Sequence, residues 1–296
     1  MLALVVVVAD SFLTEGGGDD VASNYKNESY TVPSAESDAP SIPVPEYESE
    51  IATWLENNTL YDQQLASPVR CDLDPVPAGL DDDALQSRMR EYVKCLTRVW
   101  GPALEAAGHI AYQPTLYVYP AGGEVTTSCG TQESLNAFYC GADQNLYLAA
   151  DVLRILPSAE AAAPQAYDLI IAHEYGHAMQ GRSGVFAASF YASEDAGSDS
   201  MAMEVSRRVE LQADCFAGAV INSVSQSMGL GDTEREAVAR ISYEIGDDRL
   251  AARFDQELEE GDHGVGENRQ LWATRGLAGG PLSTCNAFTA PGDEVR

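Results

Sequence analysis

The stretch HEYGHAMQ, His173 to Gln180, sets two histidines four residues apart with a glutamate between them. Leu169 to Ala172 just before it are all apolar, and the pattern predicts a buried helix from Gln165 to Gln180 ending at Gly181. On such a helix His173 and His177 share one face with Cβ atoms about 6 Å apart, so both imidazoles can reach one ion. Glu174 sits about 100° around the helix from His173 and can face a metal-held water without ligating the metal. This is the H-E-x-x-H arrangement, which pairs two zinc-type ligands with a general base. Gly176 leaves room for another backbone to approach closely. Without a metal, two buried histidines and a glutamate would each need hydrogen-bond partners.

A catalytic zinc site takes three protein ligands and keeps one position open, so a further donor must come from elsewhere in the chain. The segment RRVELQADCFAG offers Glu210 and Asp214 at i and i+4, after a gap of 32 residues that is long enough to bring a second helix alongside the first. Glu210 is the expected third ligand. Asp214, one turn further, is placed to accept the free N–H of a ligand histidine. Alone, an E-x-x-x-D pair reads as a solvated helix face, but Leu211, Ala213 and Phe216 to Val220 surround this one with apolar side chains. Cys215 stands about 140° around the helix from Glu210 and is not expected to join the same ion.

The 296 residues carry a formal charge of −29, and only Lys26 and Lys94 are lysine. No basic stripe is present to neutralise phosphates, which excludes nucleic acid as a partner. The acidity reads as a solubilising surface and says little about substrate. The six cysteines form an even set without a C-x-x-C pair, so disulfides in an oxidising compartment are the favoured reading over buried thiols in a cytosolic core. Fifteen connectivities are open to six cysteines. Nearest-neighbour order suggests Cys71 with Cys95 and Cys129 with Cys140, leaving Cys215 with Cys285.

Leu2 to Ala9 (LALVVVVA) is too short to span a bilayer, which takes about 20 residues. Residues 1–9 read as the remnant of a signal sequence or membrane anchor, with a buried terminal strand as the alternative. Residues 10–45 are rich in Gly, Ser, Asp and Pro and read as a disordered linker, so residues 46–296 are expected to form one domain. Within it the periodicity predicts a helix over Asp83 to Ala107, interrupted at Gly101-Pro102, and strands at Pro114 to Pro120 and Asn145 to Leu148. Helices are expected from about Met201 to Ser227 and from Asp232 to about Leu258.

With HEYGHAMQ and ELQADCFAG in view, the chain resembles the bacterial putative neutral zinc metallopeptidases, whose pattern pairs HEYGHxxQ with a later ELQADCxAG. Further pieces look similar: SCG at Ser128, FYCGADQNLYL at Phe138, IGDDRL at Ile245, HG at His263 and a closing CNAF at Cys285. Gly141 stands where the family usually has proline, and Ala287 where its closing motif commonly has threonine. The resemblance implies an α+β, zincin-like fold, mostly helical, with a small sheet flanking the cleft. It also implies a Zn2+ cofactor and a peptide or protein substrate.

In that chemistry Glu174 takes a proton from the attacking water and passes it to the leaving amine, and a further donor stabilises the oxyanion. His263, in the Gly-flanked loop GDHGVG, is the first candidate, with Tyr243 and Tyr139 behind it. His109 reads as a helix C-terminal cap or a surface residue. The expectation is therefore a secreted or membrane-anchored zinc endopeptidase. The alternatives are a catalytically silent extracytoplasmic binding module that keeps the metal, and a cytosolic protein with free thiols.

Overall fold

The computed structural model describes residues 24–76, 79–257 and 261–296. The expected signal or anchor remnant at 1–9 and the first part of the expected linker, 10–23, lie outside the described residues. In chain order the elements are α1 (Glu48–Glu56), α2 (Asp82–Ala106), β1 (Leu116–Tyr119), β2 (Glu124–Thr127), β3 (Gly130–Glu133), β4 (Ala137–Cys140) and β5 (Asn145–Ala149). There follow α3 (Ser158–Ala161), α4 (Ala166–Ser183), α5 (Val185–Glu194), α6 (Asp199–Val224), α7 (Asp232–Glu244), α8 (Asp247–Arg253) and α9 (Gly266–Leu277). This is an α+β protein, mostly helical, with one small sheet and a separate hairpin.

The centre of the core is α4, in which every residue except Tyr167 is buried. It packs between α2 and α6, with β4 across one side. The sheet has the order β1-β5-β4, with β1 parallel and β4 antiparallel to β5. Alternation decides its faces: Leu116 and Leu146 point to the core in register, while Tyr117, Tyr147 and Phe138 form a stack of rings on the other side. β2 and β3 pair as a hairpin, and Cys129, between those strands, is joined to Cys140 at the end of β4.

All six cysteines are paired, in the nearest-neighbour order: Cys71–Cys95, Cys129–Cys140 and Cys215–Cys285. The last bond fastens α6 to the C-terminal segment. Three disulfides fit an oxidising, extracytoplasmic environment. No described helix is long and apolar enough to cross a membrane.

Three expectations are corrected. α2 runs straight through Gly101-Pro102. Proline at 102 withholds the N–H that the Arg98 carbonyl would have bonded, but the Asn27 side-chain amide donates to that carbonyl at 3.0 Å. The donor comes from the second correction: residues 24–45 are no free linker. Their backbone is mostly irregular, yet it is fastened along the domain. Lys26 bridges Val69, the Tyr30 hydroxyl donates to Glu105, and Arg182 and Gln144 both donate to the Pro40 carbonyl at 2.8 Å. These are a backbone bridge, a side-chain pair and two side-chain to backbone bonds, all invisible to composition. The third correction is the helix expected over Asp232 to Leu258, which is broken between α7 and α8. There Gly246 packs against the backbone of Gly266 so closely that a side chain would overlap it.

Candidate metal centre

α4 presents Ile170, His173 and His177 along one stripe, and α6 crosses it at Ala213. A Cβ on Gly176 would stand 3.1 Å from both the Cα and the carbonyl oxygen of Ala213, so the two helices meet with nothing between their backbones at this point. α6 is held from behind in the same manner, since side chains on Gly218 or Gly276 would overlap the α9 and α6 backbones respectively. The close approach brings Glu210 over both histidines. His173 Nε2 lies 3.1 Å from Glu210 Oε2, and His177 Nε2 lies 3.4 Å from Glu210 Oε1. The three candidate ligand atoms all lie within 4.8 Å of one another.

The other nitrogen of each imidazole is already committed. His173 Nδ1 is 2.8 Å from Asp214 Oδ1, an oxygen that can only accept, so this nitrogen carries the proton. Asp214 is fully buried and fixed in turn by Arg269, whose Nε and Nη2 donate to its two oxygens at 2.8 and 2.9 Å. His177 Nδ1 is 2.8 Å from Gln180 Oε1. The Gln180 amide nitrogen donates to the Val209 carbonyl and to Gln212 Oε1, which leaves its own oxygen free to accept from His177. Both Nε2 lone pairs therefore converge on a carboxylate. That arrangement is repulsive unless protons or a cation lie between them.

Charge points the same way. Glu174 and Asp214 are buried and Glu210 is largely so, opposite the guanidinium of Arg269. Burial would lower the pKa of His173, but Asp214 and Glu210 outweigh it and hold the pKa well above the usual histidine range. Burial would likewise raise Glu210, yet His177 and the hydrogen bonds of both histidines pull it well below the carboxylate range. The site thus calls for positive charge. A zinc ion bonded at about 2.0–2.1 Å to tetrahedral donors sets those donors about 3.4 Å apart, and each Nε2 stands close to that distance from one or the other oxygen of Glu210. The residues present fit a zinc ion.

Glu174 points into the same cleft, with Oε2 accepting the backbone N–H of Tyr139 on β4 at 3.0 Å. Burial, only partly offset by the two histidines, raises its pKa. The cleft has a volume of about 430 Å³ and is bounded by β4, α4, α5, α6 and the α7–α8 turn.

Of the candidate donors, His263 lines this cleft and is half-exposed, with Nδ1 2.7 Å from Asp262 and 3.5 Å from Asp247. Asp247 Oδ2 also accepts the backbone N–H groups of His263 and Gly264, so the IGDDRL turn shapes this loop. The Tyr139 hydroxyl packs on Gly181 rather than toward Glu174, and only its backbone serves the site. Tyr243 is absent from the cleft lining, and its ring lies under Arg249. His109 follows α2, its backbone bonded to Leu104 and its ring beside Thr59. Sequence reasoning missed Arg269, the role of Gln180, the Tyr139 N–H and Phe186, whose ring meets that of His177 at 6.2 Å. Only Gln180 had a signal, since it closes the HEYGHxxQ pattern.

Fold and site together define an α+β protein built around a buried donor triad of the metal-binding kind. More particularly, residues 60–288 match the family described as putative neutral zinc metallopeptidase, and the chain belongs to it. It is 32% identical over 195 residues to the uncharacterized protein YpfJ of Escherichia coli, a match that covers 64% of this chain and 66% of that protein. It is 29% identical over 235 residues to the uncharacterized protein Rv2575 of Mycobacterium tuberculosis, covering 74% of this chain and 76% of that one. The chain spans just under two thirds of the length of the Escherichia coli relative. No solved structure matches.

Proposed function

We propose that this chain is a zinc peptidase of zincin-like fold, with His173, His177 and Glu210 as metal ligands and Glu174 as general base. The observation that carries the reading is the convergence of two Nε2 lone pairs on Glu210 while both Nδ1 atoms are tied elsewhere. Such a site is arranged for a dication and wasteful without one. Zinc, when bound, brings the pKa of a water toward 7 and polarises a carbonyl.

The remaining steps belong to the side chains. Glu174, oriented by the Tyr139 N–H, takes a proton from the water as its oxygen bonds to the peptide carbon. The same carboxyl then gives that proton to the amine nitrogen as the C–N bond breaks. Burial raises its pKa, which favours the first transfer, from the water to the carboxylate. His263 is the proposed donor to the developing oxyanion, since it lines the cleft from a loop braced by Asp247. Asp214 and Gln180 fix the imidazole tautomers. The three disulfides support a place outside the cytoplasm, with the chain either secreted or tethered through its N-terminal apolar run.

The test compares wild type with Glu174→Gln for zinc content and for hydrolysis of unstructured polypeptide. Both are expected to hold one zinc per chain, and only the wild type to cleave. Equal cleavage by the two contradicts the role of Glu174, and zinc-loaded wild type that cleaves nothing contradicts the peptidase reading.

A further inference from the structure

The cleft is largely apolar on the side of His173, and it is unevenly filled. Ile170, one turn before His173, forms the floor and is nearly covered, as is Val152 beyond β5. Ile155, Ile245 and Leu250 line the same space but are only half-buried, so each keeps apolar surface in contact with water inside a concavity. Two bonds fix where these walls stand. Arg253 of α8 donates to the Ile155 carbonyl, which brings the helix of Leu250 beside Ile155. Arg269 donates to the Ile245 carbonyl at 3.1 Å while it grips Asp214, which sets Ile245 next to the partner of His173. Concave surface of this kind, close to a cluster of convergent polar groups, is where a ligand's apolar group gains most from leaving water.

Charge narrows the choice further. Among the described residues the cleft is lined by one guanidinium, Arg269, held by Asp214 in a bidentate pair, and by His263, whose ring is held by Asp262 and Asp247. Glu174 and Glu210 also face the space. With the two charges of the proposed dication met by Glu210 and Glu174, an acidic side chain entering the apolar pocket would lose its water and find no unpaired cation, which costs far more than a missing contact.

We propose, resting on the peptidase reading above, that the pocket formed by Ile155, Ile245 and Leu250 against Ile170 selects the substrate. It takes a bulky aliphatic or aromatic side chain next to the bond to be cleaved and turns away acidic ones. The three half-buried residues are the specificity determinants, placed on the His173 side of the site, and Phe186 walls the His177 side.

Binding of small hydroxamates to the zinc-loaded full chain reads this pocket without turnover, by the shift each produces in thermal unfolding. Acetohydroxamate probes the metal alone. One longer hydroxamate adds an isobutyl group, and an otherwise identical one a carboxyethyl group. The isobutyl compound is expected to bind at least about tenfold more tightly than the carboxyethyl one, in the range that one pocket supplies. That advantage should vanish in Leu250→Asp while acetohydroxamate binding stays as it was. In parallel, cleavage of a mixed peptide library should cluster beside Leu, Ile, Met and Phe. Equal or reversed ranking of the two longer compounds, or an advantage that survives Leu250→Asp, overturns the pocket assignment and leaves the peptidase reading standing. If acetohydroxamate fails to bind zinc-loaded wild type, an open position on the metal is refuted, and the peptidase reading and the pocket assignment fall with it.

Discussion

Histidine and carboxylate oxygens cluster at two places among the described residues, and these differ in what stands behind the donors. At His173, His177 and Glu210 the histidines are buried, each imidazole is locked through its outer nitrogen, and the lone pairs left over have nothing but a carboxylate to face. At Asp247, Asp262 and His263 the atoms come equally close together, but Asp262 and His263 are exposed and Asp247 is spent on the backbone of its own loop. Proximity alone does not make a metal site. What distinguishes the first cluster is desolvation combined with an outer layer of partners, which leave an arrangement that protons or a cation must bridge.

Substitutions can break the contrast or sharpen it. Glu210→Ala should have the largest effect, abolishing stoichiometric zinc in dialysed protein while the fold survives by circular dichroism. Retained zinc would mean that the ion sits elsewhere. Next comes the anchor of α6: removing the Cys215–Cys285 bond by Cys285→Ser opens a loop with a sequence separation of 70, and chain entropy puts the loss near ~4 kcal/mol in denaturant unfolding. Asp214→Asn keeps size but leaves Arg269 without its charge partner and His173 without a strong acceptor. It should weaken zinc by about 10- to 100-fold in competition with a chelator. Asn27→Ala, which strips the Arg98 carbonyl of its donor, should cost about 1 kcal/mol of stability without moving zinc affinity. At the small end, Asp262→Asn at the exposed cluster should alter zinc affinity by less than ~2-fold. A large loss there would erase the distinction drawn between the two places.

Much of the buried cluster was legible in the sequence because helical spacing converts directly into a shared face. His173 with His177, and Glu210 with Asp214, each stand four apart on runs long enough to settle as helices, and Gly176 marked where the two could touch. Arg269 left no trace, because one arginine in an amphipathic helix looks like any other solvated residue until α9 docks on α6. The break between α7 and α8 was hidden for a related reason: it falls at Gly246, whose extended backbone packs against Gly266, a contact that exists only in the folded chain. Residues 24–45 were misread as a linker because composition records propensity and not docking. Their hold on the domain comes from single donors, Asn27 on a carbonyl freed by Pro102 and Arg182 on the Pro40 and Ser41 carbonyls. The apparent helix breaker in α2 and the apparent linker thus explain each other.

Zinc-edge anomalous diffraction from crystals grown with one equivalent of zinc bears most directly on the buried cluster. A single strong peak is expected about 2.0–2.1 Å from Nε2 of His173 and Nε2 of His177, with a Glu210 oxygen at bonding distance. A peak between Asp247, Asp262 and His263, with none beside the two α4 histidines, would contradict it.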